Sequence, residues 1–154
     1  RGTFYGNVNV QCQVTMDCIF CKIATREIDS AKVYEDDQVL VFLDVNPDTR
    51  GHCLVIPKKH FENIFDIEEK LLLKVSVVAK NISLKIKNNL NAKGINFLQS
   101  NGAKARQIIF HYHMHIIPRY ENDRLEIRPV WITKDEKIDS SLKALKKIAQ
   151  LIIQ

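Results

Sequence analysis

Apolar residues recur along this chain with two periods, and the switch between them marks the elements. Lys32-Val-Tyr-Glu35 and Val39-Leu-Val-Phe-Leu43 flank Asp36-Asp37-Gln38, the pattern of two strands joined by a tight turn. Asn46 to Gly51 reads as loop by composition. His52-Cys-Leu-Val-Ile56 follows as a third strand, ended by Pro57. The period then lengthens: Ile67, Leu71, Val75, Val78, Ile82 and Ile86 line one face of a long helix. Asp66, with Glu69 after it, has the form of a capping box at the helix start, and Lys93-Gly94 stops it. Ile95 to Gln99 and Phe110 to Ile117 return to strand, with Pro118 as the break. A helical turn is expected around Cys21 to Arg26. Ser140 to Gln154 carries Leu142, Leu145, Ile148 and Ile152, an amphipathic terminal helix. Strands grouped around one long helix predict an α+β fold: a five-stranded, mainly antiparallel sheet, one long helix, and shorter helices at each end.

Composition narrows the setting more than the function. A chain of 154 residues, 45% hydrophobic and 27% charged, fits one ordinary globular domain. No apolar run approaches a membrane span and none has the form of a secretory signal, so the expectation is a soluble, cytoplasmic protein. Residues 1–15 are polar and aperiodic and are read as a leader, with Met16 as the natural start of a domain over 16–120 and a helical extension over 121–154. The net charge of +5 comes from scattered lysines rather than a basic patch interleaved with aromatics. Nucleic acid is therefore not an expected partner.

The chemistry is concentrated in histidine and cysteine. All five histidines lie at two places: His52 and His60, then His111, His113 and His115. Alternation on a strand sends the last three to one face and Tyr112, Met114 and Ile116 to the other. Three adjacent imidazoles are poor core, because they compete for hydrogen-bond partners. A three-histidine zinc site and nucleophilic catalysis by one histidine both remain open on the residues alone. Cys18-Ile-Phe-Cys21 likewise admits a metal or a redox reading. The redox reading wants a helix opening after a strand, as in thioredoxins, which the pattern does not offer.

His111-Tyr-His-Met-His-Ile-Ile117 resembles the signature of the histidine-triad superfamily, His-φ-His-φ-His-φ-φ with φ apolar. Cys18-Ile-Phe-Cys-Lys-Ile23, Val41-Phe-Leu-Asp44, Gly51-His-Cys-Leu-Val-Ile-Pro-Lys-Lys-His60 and Asn101 extend the resemblance over Cys18 to Tyr120, closest to its bacterial Hint-like branch. The resemblance implies that His113 attacks the α-phosphorus of a nucleotide, forming a nucleotidyl-imidazole that water cleaves. His115 and His52 would stabilise phosphoryl oxygens or pass a proton to the leaving group. Relatives that transfer nucleotidyl groups, such as galactose-1-phosphate uridylyltransferase, carry glutamine where His115 stands, which favours hydrolysis here.

The same resemblance implies a nucleoside pocket of Phe20, Ile23, Phe42 and Val45, with Asp44 accepting from the ribose hydroxyls and Asn101 near the phosphate or leaving group. The family usually reads Gly-Gln-Ser/Thr where this chain has Arg106-Gln107-Ile108, so the leaving-group side departs while Gln107 keeps its place among the nucleotide-binding residues. A proline is also usual where Asp29 stands. Cys18, Cys21, His60 and His111 correspond to a structural Cys2His2 zinc set in the bacterial relatives, and a homodimer is implied. The activity expected is hydrolysis of purine nucleoside phosphoramidates or adenylyl conjugates. A Fhit-like diadenosine polyphosphate hydrolase and a non-catalytic nucleotide-binding module are the alternatives.

Overall fold

The computed structural model describes residues 17–123, 127–128, 131–132, 139 and 141–154; the segment read as a leader, with Cys12, lies outside them. Helix α1 (Ile19–Ala24) is followed by strands β1 (Lys32–Glu35), β2 (Val39–Leu43) and β3 (Cys53–Pro57), the long helix α2 (Glu69–Leu90) and β4 (Gly94–Leu98). A short 3-10 turn (Ala103–Ala105), β5 (Met114–Arg119), the two-residue strands β6 (Ile127–Arg128) and β7 (Trp131–Ile132), and α3 (Leu142–Ile153) complete the chain. The five-stranded sheet runs β1-β2-β3-β5-β4, antiparallel at every pairing. This is the α+β architecture expected, with β6 and β7 added as a separate ribbon that apolar periodicity had not marked.

Residue parity sorts the sheet into two buried faces. Val39, Val41, Leu43, Cys53, Val55 and Ile116 point toward α2 and α3, in one cluster with Val75, Ile82, Ile86, Leu145 and Ile152. Leu40, Phe42, Leu54 and Ile56 point the other way and meet Phe20 of α1. Both faces of β2 and β3 are covered, so these strands are apolar throughout rather than alternating. In α3, burial of Leu145 and Ile152 contributes about 3–6 kcal/mol toward holding the C-terminal helix on the sheet.

Several boundaries differ from the apolar pattern, each through a competing hydrogen bond. The helix expected from Asp66 begins at Glu69, because the Asp66 carboxylate accepts from the Glu62 and Asn63 amides at 2.8 and 2.9 Å and closes the preceding loop instead. It ends at Asn91 in the left-handed region, φ 58°, a conformation asparagine tolerates. β5 starts at Met114 rather than Phe110, since the backbone before it is engaged elsewhere: the Tyr112 amide donates to the Phe61 carbonyl at 2.6 Å. Pro118 continues the strand to Arg119, because β3 has left the ladder after Ile116 and that side needs no donor. His52 lies just before β3 instead of within it.

Candidate active site

The face of the sheet turned toward α1 carries the histidines. His115 on β5 pairs with Leu54 of β3 and Leu98 of β4, while His113 and His111 lie in the segment leading into β5. His52, His111 and His113 are buried and His115 half-buried. The Phe20 ring meets His113 edge-on at 5.2 Å between centroids, His111 at 5.8 Å and Phe42 at 5.7 Å, so one aromatic bridges the triad and the apolar cluster. Tyr112 and Met114 face α2, as strand alternation requires.

Hydrogen bonds of fixed direction assign a proton to each imidazole. The Asp48 amide, which can only donate, meets His52 Nδ1 at 3.0 Å. Neutral His52 therefore carries its proton on Nε2, which donates to His115 Nδ1 at 2.8 Å. His115 is left with a donor at Nε2. His113 Nδ1 donates to the His111 carbonyl at 2.6 Å, which leaves Nε2 with a free lone pair. Burial lowers the pKa of His52 and His113, and burial together with the neighbouring His52 and His113 takes His115 down to about 3. At neutral pH these three imidazoles are neutral, with a lone pair on His113 and a donor on His115 on the β5 side.

Asp44, from the turn after β2, closes this cluster: Oδ2 lies 3.8 Å from His52 Nε2 and 3.9 Å from His115 Nδ1, while Oδ1 accepts from the Asn46 amide at 2.8 Å. The three side chains have the spacing of a metal triad. The Asp48 amide argues against that use, because it keeps the proton on His52 Nε2, the atom that would have to bind.

The second cluster joins Cys18, Cys21, His60 and His111, whose ligand atoms all lie within 4.8 Å of one another. His111 Nδ1 is 3.4 Å from Cys18 Sγ and 3.5 Å from Cys21 Sγ, and His60 Nδ1 is 3.3 Å from Cys21 Sγ. Tetrahedral zinc with sulfur and nitrogen ligands sets such atoms roughly 3.4–3.8 Å apart, so the donor set fits the ion. His111 Nε2 donates to the Pro57 carbonyl at 2.8 Å, which fixes the tautomer that points a lone pair at the sulfurs. Burial holds this imidazole neutral, with its pKa pushed down to about 4.

The remaining candidates divide. Phe20, Ile23 and Phe42 come together in one cluster beside the triad, whereas Val45 stands out from the loop at 62% exposed. Asn101 exchanges hydrogen bonds with Gln99, and its Oδ1 also accepts from the Ile64 amide at 2.8 Å. Gln107 is buried with its amide committed to backbone: Oε1 accepts from Gly102, and Nε2 donates to the Glu62 and Ile109 carbonyls. These bonds brace the loops around Glu62 and Gly102 against each other. Ile108 is 88% exposed, and Arg106 sits in the left-handed region at φ 63°, where the family pattern has glycine. Pro57 and Phe61 meet the site's neighbours through backbone carbonyls, which leave no side-chain signal in a sequence, and Asp48 adds to its amide a carboxylate 3.6 Å from His52 Nδ1. Gln99 was legible only as a strand residue.

The family model of the HIT domain matches residues 25–122. The protein Hit of Bacillus subtilis is 50% identical over 104 residues, covering 68% of this chain and 72% of its own. The adenylylsulfatase HINT3 of Arabidopsis thaliana is 39% identical over 136 residues, covering 88% and 66%. A zinc-bound histidine triad family protein from Mycobacterium smegmatis superposes with a TM-score of 0.76 at 31% identity, covering 90% of this chain and 91% of its own.

Proposed function

This chain belongs to the HIT-domain family, and from that membership we propose that it is a nucleotide-binding hydrolase acting at the α-phosphorus of purine nucleoside phosphoramidates or adenylyl conjugates. The observation that carries the reading is the bond from His113 Nδ1 to the His111 carbonyl, which leaves Nε2 as an unprotonated nucleophile in a buried site. His113 Nε2 forms a bond to phosphorus as the bond to the leaving group breaks, giving a nucleotidyl-imidazole. His115, whose proton the Asp48–His52 chain holds on Nε2, stabilises the phosphoryl oxygens or protonates the departing group. Water then attacks the intermediate and restores His113. The apolar trio Phe20, Ile23 and Phe42 takes the base, with Val45 at the rim and Asp44 accepting from the ribose. Asn101 and Ile108 border the phosphate and leaving group, and Gln107 shapes that loop from behind. The adenylylsulfatase activity in the name of the Arabidopsis relative supports adenylyl substrates.

Zinc held by Cys18, Cys21, His60 and His111 would cross-link α1, the loop after β3 and the segment entering β5; its contribution is structural. The zinc-bound Mycobacterium relative supports this assignment. A second copy of the chain pairs along the exposed stripe of Leu73, Val77 and Leu84 on α2 with the edge strand β4, which presents Phe97. Residues 16–120 form the catalytic unit, and α3 of the extension completes its core.

Adenosine 5′-phosphoramidate should be turned over by the wild type, and quenching in alkaline denaturant, which spares the P–N bond that acid would cleave, should trap AMP on His113. His113→Ala should abolish both while retaining AMP binding within a few-fold. Tight AMP binding without turnover of phosphoramidates or dinucleotides by the wild type would overturn the hydrolase reading in favour of a binding module.

A further inference from the structure

We propose that Cys18 and Cys21 are a peroxide-sensitive dithiol whose closure to a disulfide unloads the metal and, through His111, loosens the hold on His113. The inference rests on the structural zinc reading above. Its core is a single residue with two duties. His111 Nδ1 faces both sulfurs at 3.4 and 3.5 Å, while the carbonyl of the same residue accepts the bond that fixes the His113 tautomer. The imidazole is held between the sulfurs and the Pro57 carbonyl, which its Nε2 meets at 2.8 Å, and the backbone of the same residue holds the nucleophile's tautomer, so one residue joins the two sites.

The sulfurs are arranged for ordered oxidation. Cys18 is half-buried and reachable, Cys21 is fully buried, and the two flank the start of α1. Cys18 is the N-cap of α1, in extended backbone, and Cys21 the helix's third residue, with their sulfurs within 4.8 Å of each other, so a local adjustment at the N-cap brings the two Cβ atoms to the roughly 3.5–4.5 Å of a disulfide. The third described thiol, Cys53, is buried and donates to the Gly51 carbonyl at 3.2 Å; burial pushes its pKa far up, which keeps it inert. A hydroperoxide transfers one oxygen to Cys18 Sγ: the O–O bond breaks, an S–O bond forms, and the alcohol or water leaves. Cys21 Sγ then attacks Cys18 Sγ, forming the S–S bond and expelling hydroxide, which leaves as water. Two electrons pass from the sulfur pair to one peroxide. The product has lost both thiolate ligands, and His60 and His111 are left to hold the ion alone.

The test uses the full chain, reduced and purified, with zinc content measured first. Hydrogen peroxide is then added while zinc release is followed with a chromophoric chelator, disulfides are mapped by peptide mass, and the His113 Nδ1–H signal is followed by nitrogen-15 NMR. The expected result is one zinc released per Cys18–Cys21 disulfide, Cys53 unmodified, loss of the His113 Nδ1–H signal, and a fall in turnover of roughly 10–100-fold. Dithiothreitol with zinc should restore all of these. Cys18→Ser, or failing its folding Cys21→Ser, should give no such cross-link. A protein without zinc before oxidation overturns the metal reading and this inference together, leaving the nucleotidyl reading intact. Zinc retained through disulfide formation, both thiols surviving peroxide that oxidises free cysteine, or zinc release with an unchanged His113 signal overturns this inference alone.

Discussion

His115 meets His52 at 2.8 Å and lies mostly within the protein, and these two facts set how the fold responds to acid. Burial first, and then the neighbouring imidazoles, take its pKa from 6.5 to about 3, and burial lowers that of His52 as well. Below pH 6.5 the unfolded chain takes up protons that the folded chain refuses until the pH nears 3. Stability is thus full above pH 6.5 and declines as the pH falls through that window, by up to about 1.4 kcal/mol per pH unit for each such group. Urea denaturation at pH 7, 6 and 5 should show this decline, and His115→Gln should flatten it by removing one titrating group. Equal slopes for the two proteins would refute the assignment. The alternation that put three imidazoles on one side was visible in the chain. Their differing protons were not, because the Asp48 amide and the His111 carbonyl that decide them are backbone groups.

At the scale of elements, the loop carrying Asp44 and His52 is held by Gly51 and Thr49. Gly51 adopts φ +83°, and a Cβ there would come within 2.6 Å of Leu90 Cδ1 and 3.9 Å of Ile152 Cδ1. Thr49 Oγ1 donates to the Pro118 carbonyl at 2.7 Å from a buried position. The ends of α2 and α3 therefore press directly on the loop that supplies two site residues. Gly102 provides a control, since it also has positive φ, +86°, but nothing lies within 4 Å of its added Cβ. Gly102→Ala should cost about 1–3 kcal/mol from backbone strain alone, because φ 86° with ψ 159° is a region that glycine nearly monopolises. Gly51→Ala should cost more, roughly 2–4 kcal/mol, as strain and overpacking combine. Thermal melts of the two variants check this; equal losses would show that the Leu90 contact yields freely. Neither neighbour of Gly51 is close in sequence, so its loop could be read from composition but its packing could not.

For the whole molecule, an apolar stripe on α2 and the edge strand β4 stands uncovered among the described residues. Leu73 and Val77 on α2 are 67% and 57% exposed, and Phe97 on the edge strand β4 is 53% exposed. Joining two copies there would cover the stripe and the open strand edge together. Wild-type protein should elute as a dimer, and Val77→Lys combined with Phe97→Glu should shift it to monomer. A wild-type monomer at micromolar concentration would overturn the pairing. Elemental analysis of protein purified without added metal should find about one zinc per chain, with chelation lowering the melting temperature. Full stability in metal-free protein would remove the structural role.

The chain by itself determined which residues could be core and which could do chemistry. Apolar period is a local property, so α2's buried face and strands β1 and β2 were readable from it, as was the spacing of the histidines and cysteines. Tertiary structure decided where those elements stop and what each polar group does there. Asp66 closes a loop instead of capping α2, and β5 yields its first residues to the Phe61 carbonyl. Gln107 is spent on two loops, and His111 is shared between the cysteines and the His113 carbonyl bond. The physical reason is common to all of them. A hydrogen bond has a direction and a partner, and for these groups the partner lies on an element that only folding brings alongside.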